Sequence, residues 1–386
     1  MTAGSTAPRH ALADVLPAAA AAIGLPVRPS TLTLPPARHV VVVLVDGLGE
    51  TLLARRSGHA PFLRQLRWTG EDDPRDDGPV GHRVLRCGYP STTATSMGSF
   101  GTGRPPGSHG LVGTDVLDPA RDVVFSELAW DPEVDPRRWQ PGTTVFEDLQ
   151  AGGGAVVRIG PAYFDGSGLT EAALRGGRFL AADPLSARVD LAVAAIASAT
   201  RPTMVYLYWG ELDKVGHVEG CESWQWGEQL EQIDAALARL ADRLGPGCLL
   251  VVTADHGMVD VPMSSRWDLA HDPELAAGIR LVGGEPRALH LYCEPGAAAD
   301  VVATWRQRLG AAVDVRSRAD AVGQGWFGPV EPWVTPRIGD VVVTMVDAVA
   351  VVDSRIARPD RPPMIGMHGA STQAEELIPL LWSTKD

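Results

Sequence analysis

The chain has 386 residues, of which 45% are hydrophobic and 21% are charged, and its formal net charge is −13 at pH 7. A chain of this length and composition can bury one large α/β core or two smaller ones, which excludes disorder for most of its length. The acidic balance argues against a general nucleic-acid surface or an anionic-membrane surface, although a local basic pocket could still bind phosphate.

The N-terminal segment, residues 1–38, is predicted to contain a helix near Ala18–Ile23 and a proline-rich lead. It has no convincing signal-peptide pattern, and no apolar run in the chain approaches the roughly 18 to 20 residues that span a bilayer. We therefore expect a cytoplasmic protein without a membrane contact. The cysteines are far apart in sequence, which predicts reduced, mostly buried thiols rather than a zinc-thiolate or redox motif: Cys87, Cys221, Cys248 and Cys293.

The first strong structural signal is the apolar run Val40–Val45, which ends at Asp46. A continuous run of this kind predicts a strand buried on both faces of a sheet. Helices are expected over 48–55 and 61–68, followed by a short strand over 82–87. The first predicted strand therefore delivers a carboxylate to its carboxyl end, where open α/β sheets bind their ligands.

Three hydroxyl residues lie where a predicted turn becomes a predicted helix: Ser91, Thr92 and Thr93. The backbone N–H groups and the dipole of a helix N-terminus favour an anion, so a hydroxyl there could attack a bound phosphoryl group. Ordinary N-capping explains the same residues about equally well. The glycine- and proline-rich stretch that follows, 98–113, is expected to be a loop.

Alternating signals continue with helices over 145–149 and 184–199 and strands over 155–159 and 203–209. Asp213 and His217 come next and are four residues apart. On a helix, both side chains would lie on one face and could converge on one ion. A helical Asp and His that simply face solvent are the alternative.

A long amphipathic helix over 223–244 precedes a second continuous apolar run, Leu249–Val252, and then Asp255 and His256. The run predicts another buried strand that carries two potential metal ligands at its carboxyl end. A solvated turn at the following glycine is the alternative interpretation of these residues taken alone.

The strand and helix alternation over 39–258 predicts an α/β fold, a three-layer α/β/α sandwich with a mostly parallel central sheet. We predict that residues 39–260 and 340–386 form this core, with a small inserted cap subdomain at 261–339. Within the second core segment, the strands predicted at 341–346 and 348–352 should return to the core sheet ahead of His368.

The candidate residues lie mostly where strands end and include three Asp and three His, together with one hydroxyl from the 91–93 stretch: Asp46, Asp213, His217, Asp255, His256 and His368. Carboxylate oxygens and imidazole nitrogens are ligands that suit Zn²⁺, and Mn²⁺ also accepts them. Two such ions can clamp the attacking and leaving oxygens of a phosphoryl displacement.

In their order along the chain, these motifs resemble the alkaline phosphatase superfamily and, within it, the type I phosphodiesterase/nucleotide pyrophosphatase family. The resemblance extends over about residues 39–370. It rests on six segments: Val-Asp46-Gly, Tyr-Pro-Ser-Thr-Thr93, Ser-His109-Gly-Leu-Val-Gly, Asp213-x-x-x-His217, Thr-Ala-Asp255-His256-Gly-Met and His368-Gly.

The resemblance implies a two-metal phosphoester hydrolase in which Thr93 is the nucleophile and forms a covalent phosphothreonine. It assigns one metal ion to Asp46, Thr93, Asp255 and His256. It assigns the second ion to the remaining three ligands: Asp213, His217 and His368. The expected substrate is a small-molecule phosphoester of the phosphodiester or pyrophosphate type, without a nucleic-acid polymer as partner.

Two positions differ from the nucleotide-cleaving members that the chain resembles. Thr114 stands where those enzymes have a phosphate-contacting asparagine, and Ala94 stands where they have an aromatic residue that stacks on a base. Tyr208 matches a family aromatic residue near the substrate, although a tyrosine in the core of a strand is the other interpretation. Thr114 and Tyr208 are therefore the predicted substrate-binding residues, and nucleotide specificity is left open.

Three alternative functions can be compared with the same residues. A phosphomonoesterase or a phosphonate hydrolase of the same superfamily would use the same metal ligands. A sulfatase would need a Cys-x-Pro-x-Arg segment, whereas the segment at Cys87 has different spacing and no arginine. A scaffold that binds a phosphorylated ligand without catalysis is the third alternative, and the complete set of predicted ligands argues against it.

Overall fold

The computed structural model describes residues 10–71, 78–355 and 363–385. The predicted N-terminal segment is therefore covered from residue 10 onward, and residues 72–77, 356–362 and 386 of the predicted core lie outside the described part. The strands are β1 (His39–Val45), β2 (Val80–Arg86), β3 (Asp115–Asp118), β4 (Val123–Ser126), β5 (Ala155–Gly160), β6 (Arg178–Ala181), β7 (Thr203–Trp209), β8 (Cys248–Thr253), β9 (Val259–Asp260), β10 (Arg266–Asp268), β11 (Ile279–Glu285), β12 (Ala288–Cys293), β13 (Val313–Ser317), β14 (Val341–Met345), β15 (Ala350–Val352), β16 (Gly366–Met367) and β17 (Leu377–Thr384).

Helices occur between most of these strands. They are α1 (Val15–Ala22), α2 (Glu50–Arg55), α3 (Pro61–Glu71), α4 (Thr93–Thr102), α5 (Pro106–His109), α6 (Pro136–Trp139), α7 (Val145–Ala151), α8 (Gly168–Ala173), α9 (Leu185–Ala197), α10 (Glu211–Glu219), α11 (Trp224–Arg243), α12 (Pro273–Ala276), α13 (Ala298–Leu309), α14 (Arg318–Gly323) and α15 (Gln373–Glu376). Among the described residues, every helix is too short or too polar to cross a bilayer.

The central sheet has seven strands in the order β2-β17-β8-β1-β7-β5-β6. Strands β8, β1, β7, β5 and β6 pair in parallel, whereas β17 is antiparallel to both of its neighbours. The apolar runs predicted to be buried strands form the centre of this sheet, where β1 pairs with β7 and β8. The predicted α/β fold with a mostly parallel sheet is thereby confirmed.

Alternate residues of the central strands face opposite helical layers. Val43 of β1 and Leu207 of β7 contact a small space shared with α9 and α11. Tyr206, one residue away, points to the other face, where its ring lies 5.3 Å from Phe100 of α4 and 5.8 Å from Phe146 of α7. This two-residue alternation explains why both faces of the sheet are apolar and both are covered by helices.

A second, antiparallel sheet has the order β11-β12-β14-β13 and its own apolar core, which includes Trp305 of α13. Our prediction that the strands near 341–352 return to the core sheet was wrong, because β14 pairs with β12 and β13, and β15 pairs with β10. A buried apolar strand has the same sequence pattern in either sheet, so pattern alone did not identify its partner. We now propose that the inserted cap extends from residue 261 to about residue 352.

A buried ion pair joins the two sheets near the site. The guanidinium of Arg287, at the turn between β11 and β12, donates two hydrogen bonds of 2.7 Å to the carboxylate of Glu375, which directly precedes β17. Both side chains are completely buried. The turn of the cap hairpin therefore has a defined position relative to the central sheet.

Candidate active site

The carboxyl ends of the adjacent strands β1 and β8 bring together Asp46, Asp255 and His256. Oδ1 of Asp255 accepts hydrogen bonds from the backbone N–H groups of Gly47, at 3.1 Å, and His256, at 3.0 Å. Nε2 of His256 is 3.4 Å from Oδ1 of Asp46 and 3.5 Å from Oδ2 of Asp255. We call these three residues the strand-end cluster.

Two glycines allow the chain segments that carry this cluster to approach each other. Gly49 follows Asp46 and Gly257 follows His256, and a Cβ atom built on Gly49 would lie only 2.5 Å from the Cα atom of Gly257. A side chain at either position would push the two segments apart. The glycine after the Asp-His pair therefore has a packing role that its sequence context did not show.

Thr93 is the first residue of α4, and its Oγ1 lies 3.1 Å from Nε2 of His256. The hydroxyl of Thr92 points elsewhere and forms a 2.6 Å hydrogen bond with the hydroxyl of Thr114. Ser91 donates its hydroxyl to the carbonyl of Ala370 and accepts the backbone N–H of Gly369. Of the three predicted hydroxyls, Thr93 is thus the one beside the strand-end cluster.

The remaining predicted ligands form a second group, the helix-hairpin cluster, which consists of Asp213, His217 and His368. Asp213 and His217 both lie on the helix α10, with Nε2 of His217 3.3 Å from Oδ2 of Asp213. His368 follows β16, and its Nε2 is 3.9 Å from Oδ1 of Asp213. Nδ1 of His217 is 2.8 Å from the carbonyl oxygen of Gly366, which fixes the orientation of the ring.

The two clusters share a boundary at His256. Its ring stacks on the ring of His368 with a centroid distance of 3.8 Å. Ligand atoms of Asp213, His256 and His368 lie within 4.8 Å of one another, and so do those of the strand-end cluster. In the structure, His256 therefore lies within reach of both groups, whereas the resemblance assigned it to one ion.

Burial and mutual repulsion dominate the electrostatics of the site. Burial raises the pKa of Asp46 well above its usual range, and the neighbouring Asp255 adds to this shift. Burial, followed by the charge of Asp46, raises the pKa of Asp213 to about 7. Burial lowers the pKa of His256 to about 4. The imidazole of His256 is therefore neutral at pH 7, and the attraction of Lys214 offsets only part of the rise in the carboxylate pKa values.

This arrangement fits divalent cations. Four buried carboxylate oxygens have no hydrogen-bond donor among the residues described here, and three of them belong to predicted ligands: Oδ1 of Asp46, Oδ1 of Asp213, Oδ2 of Asp255 and Oε1 of Glu285. Neutral imidazole nitrogens and carboxylate oxygens at mutual distances of 3.3 to 3.9 Å form a donor set that Zn²⁺ and similar ions accept. A bound cation would also remove the repulsion that raises the carboxylate pKa values.

The two predicted substrate residues line a cavity of about 820 Å³ that opens from the site. Tyr208 donates its hydroxyl to Oδ2 of Asp46, and burial together with Asp46 raises the pKa of this phenol, so it retains its proton. Thr114 contacts Thr92 as described above. Their roles toward a substrate remain predictions.

Sequence reasoning missed two charged residues on the cavity wall, Glu285 and Arg158. Glu285 ends β11 of the cap, and its Oε2 is 3.3 Å from Nδ1 of His368. Burial raises the pKa of Glu285 well above its usual range. Arg158 lies in β5 on the opposite side of the cavity. Both are isolated charged residues in strands, so no local motif distinguished them from ordinary surface positions.

A family model for type I phosphodiesterase/nucleotide pyrophosphatase matches residues 40–371. The chain belongs to this family. The predicted membership is therefore confirmed, and the match contains both ligand clusters and Thr93.

Curated relatives match shorter stretches. A phosphopentomutase from Anaeromyxobacter sp. (strain K) is 31% identical over 159 residues, which is 41% of this chain and 39% of that protein. Venom phosphodiesterase 2 from Crotalus adamanteus is 27% identical over 240 residues, which is 58% of this chain and 27% of the relative. The matches thus span well under half the length of these relatives.

Solved structures of low sequence identity share the fold. Murine ectonucleotide pyrophosphatase/phosphodiesterase 5 superposes with a TM-score of 0.67 at 17% identity, covering 89% of this chain and 87% of that structure. Phosphonoacetate hydrolase from Sinorhizobium meliloti 1021, in complex with phosphonoformate, gives 0.68 at 19% identity, covering 91% and 90%. Both neighbours belong to the alkaline phosphatase superfamily, in agreement with the fold predicted from the sequence.

Proposed function

We propose that this protein hydrolyses small-molecule phosphate esters, with phosphodiesters or pyrophosphate-type esters as its preferred class, and that Thr93 is its nucleophile. The observation that carries the proposal is the position of the Thr93 hydroxyl, at a helix N-terminus and beside six side chains of metal-binding type. Membership of the type I phosphodiesterase/nucleotide pyrophosphatase family supports the same reaction class.

Thr93 is well placed to attack a phosphoryl group. As the first residue of a ten-residue helix, it lies among backbone N–H groups that have no partner within the helix and that favour an anion. Its Oγ1 would form a bond to phosphorus while the bond from phosphorus to the leaving ester oxygen breaks. The first ester group would depart as its alcohol, which takes the place of the lost threonine proton, and with a diester the phosphothreonine keeps the second ester group; water would then release the phosphomonoester and restore the hydroxyl.

Two divalent cations, with zinc as the expected metal, would neutralise the phosphoryl oxygens and stabilise the attacking and leaving oxygens. Asp46, Thr93, Asp255 and His256 are proposed to hold one cation. Asp213, His217 and His368 are proposed to hold the other, and the contact between the His256 and His368 rings keeps the two sets adjacent.

Tyr208 is proposed to position Asp46. Its hydroxyl donates to one carboxylate oxygen of Asp46 and leaves the other without a protein donor. The same ring contacts Phe164 edge to face, with centroids 5.3 Å apart, so the hydroxyl is held in place from the cavity side. This arrangement resembles the outer partners that orient ligands in metal sites.

A substrate panel tests the proposed class. The zinc-loaded protein is assayed with bis-p-nitrophenyl phosphate, p-nitrophenyl phosphate, a pyrophosphate ester and a phosphonate. We expect the diester or the pyrophosphate ester to give the largest kcat/KM. A larger value for the monoester or for the phosphonate would assign the protein to the alternative subclass.

The nucleophile is tested by trapping. Acid quenching of the wild-type protein during turnover of a diester, followed by peptide mass spectrometry, should show a phosphoryl group that keeps its second ester group on the peptide that contains Thr93. Thr93→Ala should keep its metal content and lose both turnover and the phosphopeptide, and Thr92→Ala should keep both. Phosphorylation of the Thr93→Ala protein at the same rate as the wild-type protein would exclude Thr93 as the nucleophile. Metal binding without turnover of any ester or phosphonate would support the scaffold alternative.

A further inference from the structure

Arg158 places a buried guanidinium in the wall of the cavity, without an ion-pair partner in the described part of the chain. The residue lies in β5 and is only 6% exposed. Its Nε and Nη1 atoms are buried and have no acceptor within the described ranges. The ring of Phe179, in the neighbouring strand β6, lies 5.6 Å from the guanidinium carbon.

A buried, unpaired guanidinium is costly, because arginine stays charged and the low-dielectric interior does not solvate it. The acidic residues that attract it, Glu171 and Asp165, form no ion pair with it among the described residues. Glu171 forms its ion pair with Arg137, at 2.9 Å, on the exterior. The Phe179 ring supplies only a weak attraction for a cation. The protein therefore maintains an uncompensated positive charge that faces the space of the cavity.

The strand register locates this charge relative to the reacting end. Arg158 is paired with Tyr206 of β7, and Tyr208, two residues further along β7, bonds to Asp46. Strand β7 separates β5 from β1. Across β7, Arg158 is level with Val42 of β1, and Asp46 lies four residues further along, so the two backbones are separated by roughly 10 Å across the sheet and about 13 Å along it. A molecule that spans this distance would contact both places.

We infer that Arg158 binds a second anionic group of the substrate, a carboxylate or a phosphate at the far end of the organic group esterified to phosphorus. The inference rests on the proposed function for the reacting phosphoryl group. The cavity between the two ends is lined by apolar side chains, including Phe164, Leu169 and Phe179, so the connecting part is a flat or apolar spacer. An anion at Arg158 would satisfy the buried donors.

Matched esters test the inference. The probes are the methyl phosphodiesters formed on the phenol oxygen of 4-hydroxybenzoate, of 4-hydroxybenzamide and of 4-hydroxyphenyl phosphate. Only the group at the opposite end of the ring differs among them. We expect the wild-type protein to prefer an anionic probe over the amide. The ratio of their kcat/KM values should fall by about 10- to 100-fold in Arg158→Met. The larger ratio, for carboxylate or for phosphate, identifies the preferred anion.

Two further variants serve as controls. Arg178→Met removes a positive charge from an exposed position on the neighbouring strand and should keep the wild-type ratio. Arg158→Lys keeps the charge but offers a single point of contact, so part of the preference should remain. An equal fall of the ratio in Arg178→Met would indicate a general charge effect and overturn the inference, as would an unchanged ratio in Arg158→Met.

Two measurements without turnover separate this inference from the proposed function. In the Thr93→Ala background, calorimetry should show tighter binding of the anionic probes than of the amide, and Arg158→Met should remove this difference. If the probes bind in this way but the wild-type protein does not turn them over, the proposed reaction is wrong and the anion site is still supported. Without ligand, Arg158→Met should raise the melting temperature, because it removes a buried unpaired charge. A lower melting temperature together with unchanged probe binding would instead show that Arg158 stabilises the fold.

Discussion

The two ligand clusters are built by different means. The strand-end cluster lies on two adjacent, fully buried strands, and the backbone N–H groups of Gly47 and His256 hold the Asp255 carboxylate. The helix-hairpin cluster relies on one nine-residue helix and on the segment after β16, and the His217 side chain is 22% exposed. The comparison indicates a rigid half that belongs to the sheet and a more adaptable half that borders the cap.

The largest expected loss of activity and of bound metal follows a substitution in the strand-end cluster. Asp255→Asn keeps an oxygen for the N–H groups of Gly47 and His256 but replaces the unpaired Oδ2 by an amide nitrogen. We expect kcat/KM to fall by more than about 100-fold and the metal content to drop by about one ion per chain. Steady-state kinetics and elemental analysis measure these quantities.

Asp300→Asn, at an exposed position on α13, is the matched control and should keep both activity and metal content. Wild-type metal content and activity in Asp255→Asn would contradict the proposed role of the strand-end cluster.

A smaller loss is expected in the helix-hairpin cluster. His217→Asn removes Nε2 from the edge of the site, where solvent can partly replace it. We expect a fall of roughly 10- to 100-fold in kcat/KM that excess Zn²⁺ partly restores. If excess metal restores Asp255→Asn as well as it restores His217→Asn, the distinction between a rigid and an adaptable half is wrong.

Tyr208→Phe tests the outer support of the strand-end cluster. The substitution removes the hydrogen bond to Asp46 and keeps the ring contact with Phe164. We expect about a tenfold fall in kcat with a smaller change in KM, because the variant alters the orientation of Asp46 rather than the cavity surface. A large rise in KM with unchanged kcat would instead assign Tyr208 to substrate binding.

The smallest effect on turnover concerns the support of α4, which carries Thr93, because this prediction is measured in stability. His109 is buried against this helix, where Nε2 lies 3.1 Å from Oγ of Ser99 and Nδ1 accepts the N–H of Leu111. Burial, aided by Arg104 and Arg337, lowers the pKa of His109 to about 3. The unfolded chain, with a histidine pKa of about 6.5, therefore takes up a proton first as the pH falls.

The direction in which stability changes with pH follows from this difference between the pKa of His109 in the folded and in the unfolded chain. His109 contributes stability above about pH 6.5, and that contribution is lost as the pH falls toward 3, by at most about 1.4 kcal/mol per pH unit. Urea unfolding at pH 6 and pH 4.5 should show a shallower dependence in His109→Asn than in the wild-type protein. Equal slopes in the two proteins would show that His109 is not neutral in the folded state.

The strand-end cluster was the easier half to predict from sequence. Asp46 and Asp255 follow continuous apolar runs, so a rule about strand ends located them without knowledge of the partner strands. His368 follows no continuous apolar run, so it was a candidate by residue type and only the resemblance assigned it to an ion; the contacts that place it come from the distant residues Ser91 and Glu285.

The cap and the apolar side of the cavity were less predictable. Strand β14 has the pattern of a core strand but pairs in the second sheet, since a buried apolar strand can serve either sheet. Arg158 occupies one position in an otherwise apolar strand, and its importance depends on the lack of an acceptor in three dimensions. Neither the pairing of β14 nor the lack of an acceptor for Arg158 can be predicted from the local sequence.

The hydrogen bonds between Ser91 and Gly369 connect positions 278 residues apart. They join the turn before Thr93 to the segment that carries His368, and β17 then inserts between β2 and β8. During synthesis on the ribosome, the strands on both sides of this gap emerge long before the strand that fills it. Assembly of the candidate site is therefore a late event in biosynthesis, and the site is complete only after nearly all of these residues have been translated.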